Sequence, residues 1–427
     1  MKVHFLGIGG SGASAAAAIA QAQGFEITGC DLEPHNEFTT QFKSSQFLKG
    51  HSASHMSSGK LDLLTVTPAI FSLDPQNPEL LQAKKMGIPI LTWQQFVGKY
   101  LVKDKFVIAV CGTHGKTTTT AMIAQILEDS GLDPTVLLGA IYPKWKANYR
   151  AGKPKYFVIE ADEFNDNFLS LYPEITVVTN IEMDHPEYFK DFEAYKESFK
   201  KFLAQTREKI VANLSDLVVS EILTVHPKGV NTNLDYSKKP IDFKLKIPGQ
   251  FNRLNAQAAL QVGLLLKIDP QTIKKSLSKY EGVGRRFEYI GSYHGAKVYS
   301  DFGHHPSEIE KTMQAAREKF PDQRIILIYE PHMFSRTKVL FNDFVRVFKS
   351  LPVDKIIITD IYPSREVDTG LITSKQLADT VGRDTLVYHS KDQLLPMLKL
   401  HVQSGEIIFF MGAGDIDKMA REFIQIN

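Results

Sequence analysis

The sequence predicts an α/β protein of three successive domains. Short apolar segments with strand character alternate with helical patterns along all 427 residues, which is typical of parallel sheets covered by helices. Two glycine-rich turns each follow such a segment and precede a helical pattern, and the alternation starts again near Arg285. We therefore expect domains at 1–102, 103–284 and 285–427.

The predicted strands fall into three groups, one for each domain. The first group is 3–6, 26–30, 63–66 and 88–91, the second is 106–110, 156–160 and 175–179, and the third is 297–300, 324–329, 355–359, 386–388 and 406–411. Helical patterns include 192–202 and 255–266, and the polar run 231–239 is interpreted as a loop.

The composition is that of a soluble globular protein, with 43% hydrophobic and 23% charged residues. A formal net charge of +2 argues against nucleic-acid binding, and the chain has no apolar run of about 18 residues to span a membrane. Glycines from Gly7 onward interrupt what resembles a signal peptide. We expect a cytoplasmic protein, a monomer or weak dimer, with Cys30 and Cys111 as buried free thiols.

The second glycine turn has the composition of a phosphate-binding loop. It follows the apolar segment 106–110 and reads Gly112-Thr113-His114-Gly115-Lys116-Thr117-Thr118. Such a turn aims backbone N–H groups at an anion, while Lys116 supplies charge for the β- and γ-phosphates and Thr117 a hydroxyl for Mg²⁺ or Mn²⁺. The strict pattern has a further glycine about four residues before Gly115, which this chain lacks. We expect a nucleoside triphosphate here; the alternative is a glycine turn without a ligand.

The first glycine turn predicts a site for a dinucleotide or a nucleotide sugar. It reads Gly7-Ile8-Gly9-Gly10-Ser11-Gly12, and Asp31 closes the next strand, where an acidic side chain reaches a ribose. His51, Thr67 and Ala69 lie where later strands of this domain end, although each taken singly is more often structural. Tight packing of strand against helix is the alternative for the turn itself.

Carboxylates follow the strand 156–160 of the central domain. A carboxylate at the end of a strand beside a phosphate loop holds Mg²⁺, directly or through water, and Glu160 is in that position. Asp162 and Glu163 come next, and either assists the metal or belongs to a solvated turn.

A second polar run follows the strand 175–178. It reads Thr179-Asn180-Ile181-Glu182-Met183-Asp184-His185, in which Asp184 or His185 is a candidate to face a second metal or the substrate. The lysine that a guanine site needs after Asn180 is absent, which argues against a GTPase.

Further polar segments follow in the second half of the chain. They lie at 248–255, 284–288, 300–306 and 330–337. The paired Arg285 and Arg286 are suited to stabilise developing charge at a phosphate. His304 and His305 are adjacent, and because adjacent side chains on a strand diverge, we do not expect zinc there.

In this order, the motifs resemble those of the Mur ligase family across essentially the whole chain. The nine matching segments are 7–12 with Asp31, 112–118, 160–163 with 168–169, 179–185, 285–287, 301–306 with Glu308, 331–337, 360–363 and 412–416. One such motif is weak evidence, but nine in register are specific. The resemblance implies a Rossmann-like domain for a UDP-sugar, a P-loop ATPase-like domain with a parallel-rich sheet for ATP, and a Rossmann-like domain for an amino acid.

The resemblance also implies the reaction, that of the branch of the family that adds L-alanine. ATP phosphorylates the lactyl carboxylate of UDP-N-acetylmuramate, the amine of L-alanine attacks the acyl phosphate, and phosphate leaves, as a step of peptidoglycan precursor synthesis. Two anions meet in the first step, so a metal and Lys116 must screen them. The preference among L-alanine, glycine and L-serine stays open.

By the same resemblance, residues at matching positions receive roles. Lys116, Glu160, His185 and Arg286 are the expected catalytic residues, and Thr117, Glu160 and His185 the expected metal ligands. Beyond the phosphate loop, ATP contacts Asn252, Asn255, Arg286 and Asp301; the UDP-sugar contacts Gly9, Gly10, Ser11, Gly12, Asp31, His51, Thr67 and Ala69; His304, His332 and Arg336 lie on the amino-acid side.

Several positions depart from the family pattern. Phe164-Asn165 replaces Ser-Asp, Phe251 replaces a histidine, Ser300 and Phe302 replace Asp and Tyr, and Phe199 stands where some relatives carry a carbamylated lysine. These changes affect amino-acid choice and the surroundings of the site more than the reaction type.

Three other functions stay open. A recycling ligase that adds a whole tripeptide usually has Asn-Leu-Glu before its Asp-His, whereas this chain has Ile181 between Asn180 and Glu182. A nicotinamide dehydrogenase that uses the first glycine turn leaves Lys116 and Glu160 without a role. A non-catalytic UDP-sugar-binding protein leaves the same residues unexplained.

Overall fold

The computed structural model describes residues 1–33, 35–43, 46–57, 59–224, 234–238 and 240–425. Its three sheets, mostly parallel, have the α/β character that the sequence predicts. The chain divides into two compact units, the first made of Met1–Met183, Asp191–Lys244 and Leu254–Tyr280, and the second of Asp184–Lys190, Leu245–Arg253 and Glu281–Asn427. The first unit contains two sheets and the second contains one; the domain boundaries after 102 and 284 stay a prediction.

The strands of the described residues are numbered in chain order. They are β1 (Lys2–Leu6), β2 (Glu26–Asp31), β3 (Phe47–Lys49), β4 (Leu63–Val66), β5 (Ile90–Thr92), β6 (Phe106–Cys111), β7 (Thr135–Tyr142), β8 (Ala147–Arg150), β9 (Tyr156–Glu160), β10 (Ile175–Val178), β11 (Lys209–Ala212), β12 (Leu234–Asp235), β13 (Glu288–Tyr293), β14 (Ala296–Asp301), β15 (Ile325–Tyr329), β16 (Lys355–Ile358), β17 (Leu386–Tyr388) and β18 (Ile407–Met411).

The helices are numbered in the same way. They are α1 (Ser11–Ala22), α2 (Ile70–Leu73), α3 (Pro78–Met86), α4 (Trp93–Phe96), α5 (Lys116–Asp129), α6 (Phe192–Ala204), α7 (Leu217–Thr224), α8 (Gln250–Leu265), α9 (Pro270–Lys279), α10 (Pro306–Lys319), α11 (Phe334–Val339), α12 (Phe341–Ser350), α13 (Ser374–Val381), α14 (Lys391–His401) and α15 (Ile416–Gln425). Within the described ranges, no helix combines the length and hydropathy needed to cross a bilayer.

The first sheet is parallel throughout and has the strand order β3-β2-β1-β4-β5. The chain winds to one side of β1 and then to the other, so the order reverses at β1. In open α/β sheets, ligands bind at the carboxyl end of strands where the order reverses. The first glycine turn lies at that end of β1.

The second sheet repeats this arrangement around β6. Its order is β12-β11-β10-β6-β9-β7-β8, and only the β7–β8 pair is antiparallel. The strand β6 lies between β10 and β9, and the phosphate loop connects it to α5. Residues at the carboxyl ends of β9 and β10 therefore lie on either side of that loop.

The third sheet has the order β13-β14-β18-β15-β16-β17, with β13 antiparallel to β14. Its central strand β15 is buried on both faces: Ile325 and Leu327 belong to one apolar cluster and Ile326 and Ile328 to the other. Such two-sided burial explains why this strand reads as a continuous apolar run rather than an alternating one.

The observed bounds of some helices and strands differ from the predicted ones. The strand expected at 88–91 lies at Ile90–Thr92, and the helix expected from 255 begins at Gln250. Of the loop expected at 231–239, residues 231–233 and 239 lie outside the described residues, while Leu234–Asp235 pair with β11 as a short strand.

Candidate functional site

The loop between β6 and α5 requires glycine at two positions. Gly112 has φ 123° and Gly115 has φ 84°, both in the region that L side chains rarely adopt. A Cβ on Gly115 would lie 2.6 Å from the side-chain oxygen of Asn255, and one on Gly112 would overlap the hydroxyl of Thr179. The predicted ATP residue Asn255 is thus brought to the phosphate loop.

The residues after β10 hold the loop in shape. The N–H of Thr113 donates to the carbonyl of Asn180 at 2.9 Å, and the N–H of His114 donates to the Asn180 side-chain oxygen at 3.0 Å. The carbonyl of His114 accepts from the Asn180 amide at 2.9 Å and from the Thr179 hydroxyl at 2.7 Å. Hydrogen bonds within the protein therefore hold the loop in this conformation.

Lys116 is held at the inner edge of the loop. Its ammonium donates to the carbonyls of Gly112 at 2.7 Å and Thr113 at 3.1 Å, and forms an ion pair with the buried carboxylate of Glu163 at 2.9 Å. Burial alone lowers the pKa of Lys116, but the negative charges of Glu163 and Asp162 outweigh burial and raise this pKa above its usual value. The side chain is therefore a permanent cation.

The predicted metal ligands Thr117 and Glu160 are in contact. The hydroxyl of Thr117 donates to one Glu160 oxygen at 2.9 Å, and the N–H of Gly139 donates to the other at 2.8 Å. Glu160 ends β9 directly beside Val110 of β6. A hydroxyl and a carboxylate are hard oxygen donors, so the residues present fit Mg²⁺.

The first glycine turn is closed by a carboxylate. The N–H of Gly9 donates to Asp31 at 2.8 Å. A Cβ on Gly7 would lie 2.5 Å from the methyl of Thr67, and one on Gly12 would overlap the ring of Trp93. Asp31 and Thr67 are therefore brought to the turn, and their role in binding a UDP-sugar stays a prediction.

The other residues predicted for the UDP-sugar site lie at the starts of two helices or beside Cys30 and Glu79. Gly10 and Ser11 form the start of α1, and Ala69 precedes α2. The ring of His51 lies 3.4 Å from the thiol of Cys30 and 3.7 Å from the carboxylate of Glu79.

In the second unit, His304, His332 and Arg336 are brought together. The guanidinium of Arg336, which is 2% exposed, donates to His332 at 3.0 Å and twice to Asp184, at 2.9 and 3.1 Å. The rings of His304 and His332 have centroids 5.7 Å apart. Burial and then the Arg336 charge lower the pKa of His304 to about 4, and burial followed by His304 lowers the pKa of His332 to about 2. Both imidazoles are neutral at pH 7.

His185 belongs to the same unit. Its φ is 55°, its N–H donates to Asp184 at 2.7 Å, and its Nδ1 lies 3.2 Å from Glu187. Its Nε2 lies 3.8 Å from Asp184.

Arg286 and Asp301 lie close to each other. Asp301 accepts the N–H groups of Phe287 and Gly303, each at 2.8 Å, and burial raises its pKa to about 6, although the charge of Arg286 opposes this. The cations of Arg285 and Arg286 lie 4.8 and 4.9 Å from the ring centre of Phe302. Phe302, which departs from the family pattern, thus makes a cation–π contact with each of the two arginines.

Four other departures from the family pattern, at Asn165, Ser300, Phe251 and Phe199, have the following surroundings. Asn165 has φ 56°, a conformation that asparagine tolerates better than most residues. Ser300 donates to Asp417 at 2.5 Å. Phe251 packs against the core of the third sheet. Phe199 is fully buried against Phe168, with ring centres 5.3 Å apart.

Asn252 was predicted to contact ATP, whereas two groups that contact the carboxylates near the phosphate loop were not predicted. Asn252 donates to the carbonyl of Pro248 at 2.6 Å. The sequence did not predict Tyr195, whose hydroxyl donates to Glu163 at 3.0 Å, nor the N–H of Gly139 at Glu160. Position at a strand end could have indicated a role for Asn180, but nothing in the sequence marks Tyr195 among the other aromatic residues of α6.

Three family models match successive parts of the chain. The Mur ligase family catalytic domain matches residues 2–104, the Mur ligase middle domain matches 110–228, and the Mur ligase glutamate ligase domain matches 285–414.

Similar proteins cover the chain from end to end. A UDP-N-acetylmuramate–L-alanine ligase of Caldanaerobacter subterraneus is 37% identical over 100% of this chain and 98% of its own length. One of Acetivibrio thermocellus is 38% identical over 99% and 95%. The crystal structure of the UDP-N-acetylmuramate-alanine ligase of Thermotoga maritima superposes with a TM-score of 0.81 at 28% identity, covering 100% of this chain and 98% of that one.

Proposed function

Since the chain belongs to the Mur ligase family, we propose that it joins L-alanine to the lactyl carboxylate of UDP-N-acetylmuramate, with ATP cleaved to ADP and phosphate. The observation that carries the proposal is the double pairing at the phosphate loop, Lys116 with Glu163 and Thr117 with Glu160. A strand that ends in a loop with these pairs is suited to hold a triphosphate and its metal. The full-length relatives support the choice of substrates.

The phosphate loop supplies most of the electrostatics of the first step. Backbone N–H groups and the start of α5 bind phosphate oxygens, and the ammonium of Lys116 screens the negative charge of the γ-phosphate from that of the attacking carboxylate. Thr117 and Glu160 would hold Mg²⁺, which neutralises phosphate charge when bound. We assign His185 to a second metal and Asn252, Asn255, Arg286 and Asp301 to ATP.

The first glycine turn binds rather than reacts. We assign Gly9 to Gly12, Asp31, His51, Thr67 and Ala69 to the UDP-sugar. The turn has no lysine, so it offers backbone donors to the diphosphate without the charge that phosphoryl transfer needs.

His304, His332 and Arg336 are assigned to the amino-acid side. With pKa values of about 4 and about 2, the two imidazoles present no positive charge to the ammonium group of an incoming amino acid. They therefore act as hydrogen-bonding groups and do not remove its proton at neutral pH.

A phosphate-release assay with ATP, Mg²⁺, UDP-N-acetylmuramate and a panel of acceptors tests the proposal. We expect release with L-alanine and none without the UDP-sugar. Release only with the tripeptide L-alanyl-γ-D-glutamyl-diaminopimelate would assign the chain to peptide recycling instead. Binding of the UDP-sugar without any release would leave it as a binding protein.

We also propose that the protein works in the cytoplasm, where ATP and UDP-sugars are made, as a monomer or weak dimer without nucleic-acid or membrane partners. Light scattering at several protein concentrations measures the oligomeric state, and a stable higher oligomer would contradict this proposal.

A further inference from the structure

Four side chains suited to bind a metal lie together in and beside the first sheet, and none of the four is assigned to the ligase reaction. His51, which is assigned to the UDP-sugar, contacts two of them, Cys30 and Glu79. His4 lies on β1, Cys30 on β2, Glu79 in the first turn of α3, and His55 in the short helical turn Ala53–Ser57. One ligand atom from each side chain lies within 4.8 Å of all the others. We call these four residues the His/Cys/Glu cluster.

The carboxylate of Glu79 is the centre of the cluster and is fully buried. Its oxygens lie 3.0 Å from His55 Nδ1, 3.1 Å from Cys30 Sγ and 3.2 Å from His4 Nε2. The side chain of His4 is 1% exposed. An anion in such a place must be compensated, because a buried carboxylate is costly unless it is paired with a cation or bound to a metal.

The ring of His4 is aimed at the cluster. Its Nε2 lies 3.2 Å from the carboxylate of Glu79. Its other nitrogen, Nδ1, lies 2.9 Å from the hydroxyl of Thr28. Metal-binding histidines are generally fixed in this way, with one nitrogen held by a neighbouring oxygen and the other directed at the metal.

We propose that His4, Cys30, His55 and Glu79 form a structural zinc site. Tetrahedral Zn²⁺ with ordinary bond lengths places its ligand atoms about 3.3–3.6 Å from one another. The separations of Cys30 and His55 from one Glu79 oxygen, 3.1 and 3.0 Å, are already close to this range, and all four ligand atoms lie within 4.8 Å of one another. Thiolate and imidazole ligands favour zinc over magnesium or calcium.

The four protein ligands define what the zinc does. They leave no position for a water molecule, so the site holds structure and performs no chemistry. It links two neighbouring strands, β1 and β2, to the turn at Ala53–Ser57 and to α3. On binding, the thiol of Cys30 loses its proton to solvent and becomes a thiolate ligand.

The competing explanation is a hydrogen-bonded network without metal. In that state burial and the charge of Glu79 raise the pKa of the Cys30 thiol, and the thiol donates to the carboxylate. The two explanations differ in whether the Cys30 thiolate coordinates a metal ion, and absorption spectroscopy can detect that bond.

Cobalt titration of the chelator-treated, full-length protein separates them. Cys30 and Cys111 are the two cysteines of the chain, so a thiolate-to-cobalt charge-transfer band in the near ultraviolet must come from one of them. We expect one equivalent of Co²⁺ to produce this band and Zn²⁺ to abolish it. Cys30→Ser should lose the band and the matched variant Cys111→Ala should keep it. No band in the unaltered protein, or a band that survives Cys30→Ser, overturns the proposal.

A second variant guards against misfolding of Cys30→Ser. Thr28→Val keeps all four ligands but removes the partner of His4, and should weaken zinc binding about 10- to 100-fold. Unchanged zinc affinity in Thr28→Val contradicts a site in which His4 is a ligand oriented by Thr28. The site does not depend on the ligase function, so Lys116→Ala should keep the cobalt band whatever it does to phosphate release.

Discussion

The two glycine turns of the first unit occupy the same position in their sheets and have different chemistry. Each follows the strand of its sheet at which strand order reverses, and each leads into a helix, α1 or α5. At the first turn the nearby carboxylate, Asp31, accepts a backbone N–H of the turn. At the second, Glu163 pairs with the cation of Lys116 and Glu160 with the hydroxyl of Thr117.

In the proposed function, the backbone of each turn determines where phosphate binds, while side chains from neighbouring strands determine whether the phosphate reacts. Backbone donors suffice to bind a diphosphate. Transfer of a phosphoryl group needs in addition a fixed cation and a metal that neutralise charge. Of the two turns, the second has residues to supply both.

Removing the cation tests this difference most severely. We expect Lys116→Ala to lower the rate of phosphate release about 1000-fold, near 4 kcal/mol, while leaving UDP-sugar affinity almost unchanged. The exposed Lys103→Ala is the matched control. Because the substitution leaves the buried carboxylate of Glu163 without its cation, the double variant with Glu163→Gln checks that the loss does not come from unfolding. A rate close to that of the parent protein would contradict the claim that the second turn needs the Lys116 cation for phosphoryl transfer.

Removing the metal ligand is expected to have the next largest effect. Glu160→Gln keeps the shape but loses the charge that binds Mg²⁺, so the rate should fall about 100-fold and saturation should need more Mg²⁺. The measurement is a magnesium titration of phosphate release, with the exposed Glu197→Gln on α6 as control. An unaltered magnesium dependence would show that the metal is held elsewhere.

At the first turn, the expected effect is smaller and appears in binding. Asp31→Asn weakens the contact that closes the turn at Gly9, and should reduce affinity for the UDP-sugar about tenfold with little change in the maximal rate. Calorimetry and steady-state kinetics measure the two quantities, and the exposed Glu33→Gln is the control. A large fall in the maximal rate at saturating UDP-sugar would mean that this turn takes part in the chemistry.

The third sheet offers a strand-end carboxylate without such a turn. Burial raises the pKa of Asp301 to about 6 from 3.8, so between these values the folded state binds more protons than the unfolded state. Stability contributed by this group is therefore lost as pH rises, by about 1 kcal/mol from pH 5 to 7.5. Denaturant unfolding at both pH values should show this loss in the parent protein and in the control Asp343→Asn, but not in Asp301→Asn. An equal pH dependence in all three contradicts the assigned burial.

The sequence predicted well what depends on local patterns. The strands that precede the two glycine turns, β1 and β6, are apolar runs followed directly by glycine. The carboxylates near the turns, Asp31 and Glu160, are the last residues of apolar strands. It missed the short strands β3, β8, β11 and β12, and also the longer strands β7 (Thr135–Tyr142) and β13 (Glu288–Tyr293), each of which pairs antiparallel with a neighbour. Length and periodicity carry too little information in the short segments.

The contacts at the site were harder to predict, because they join residues far apart in the chain. Asn180 contacts His114 across 66 residues, and Tyr195 reaches Glu163 across 32. Their partners depend on strand order, and a polar residue at a strand end shows where its side chain emerges but not what it meets. The same holds for Arg336, which was predicted for the amino-acid side and whose guanidinium contacts Asp184 and His332.

Isotope transfer tests the central claim most directly, namely that the loop around Lys116 places a phosphoryl group on the sugar carboxylate. UDP-N-acetylmuramate labelled with ¹⁸O in its lactyl carboxylate is turned over with ATP and L-alanine, and the released phosphate is analysed by mass spectrometry. We expect one ¹⁸O atom in each phosphate. Unlabelled phosphate, released together with the alanine adduct, would contradict the claim.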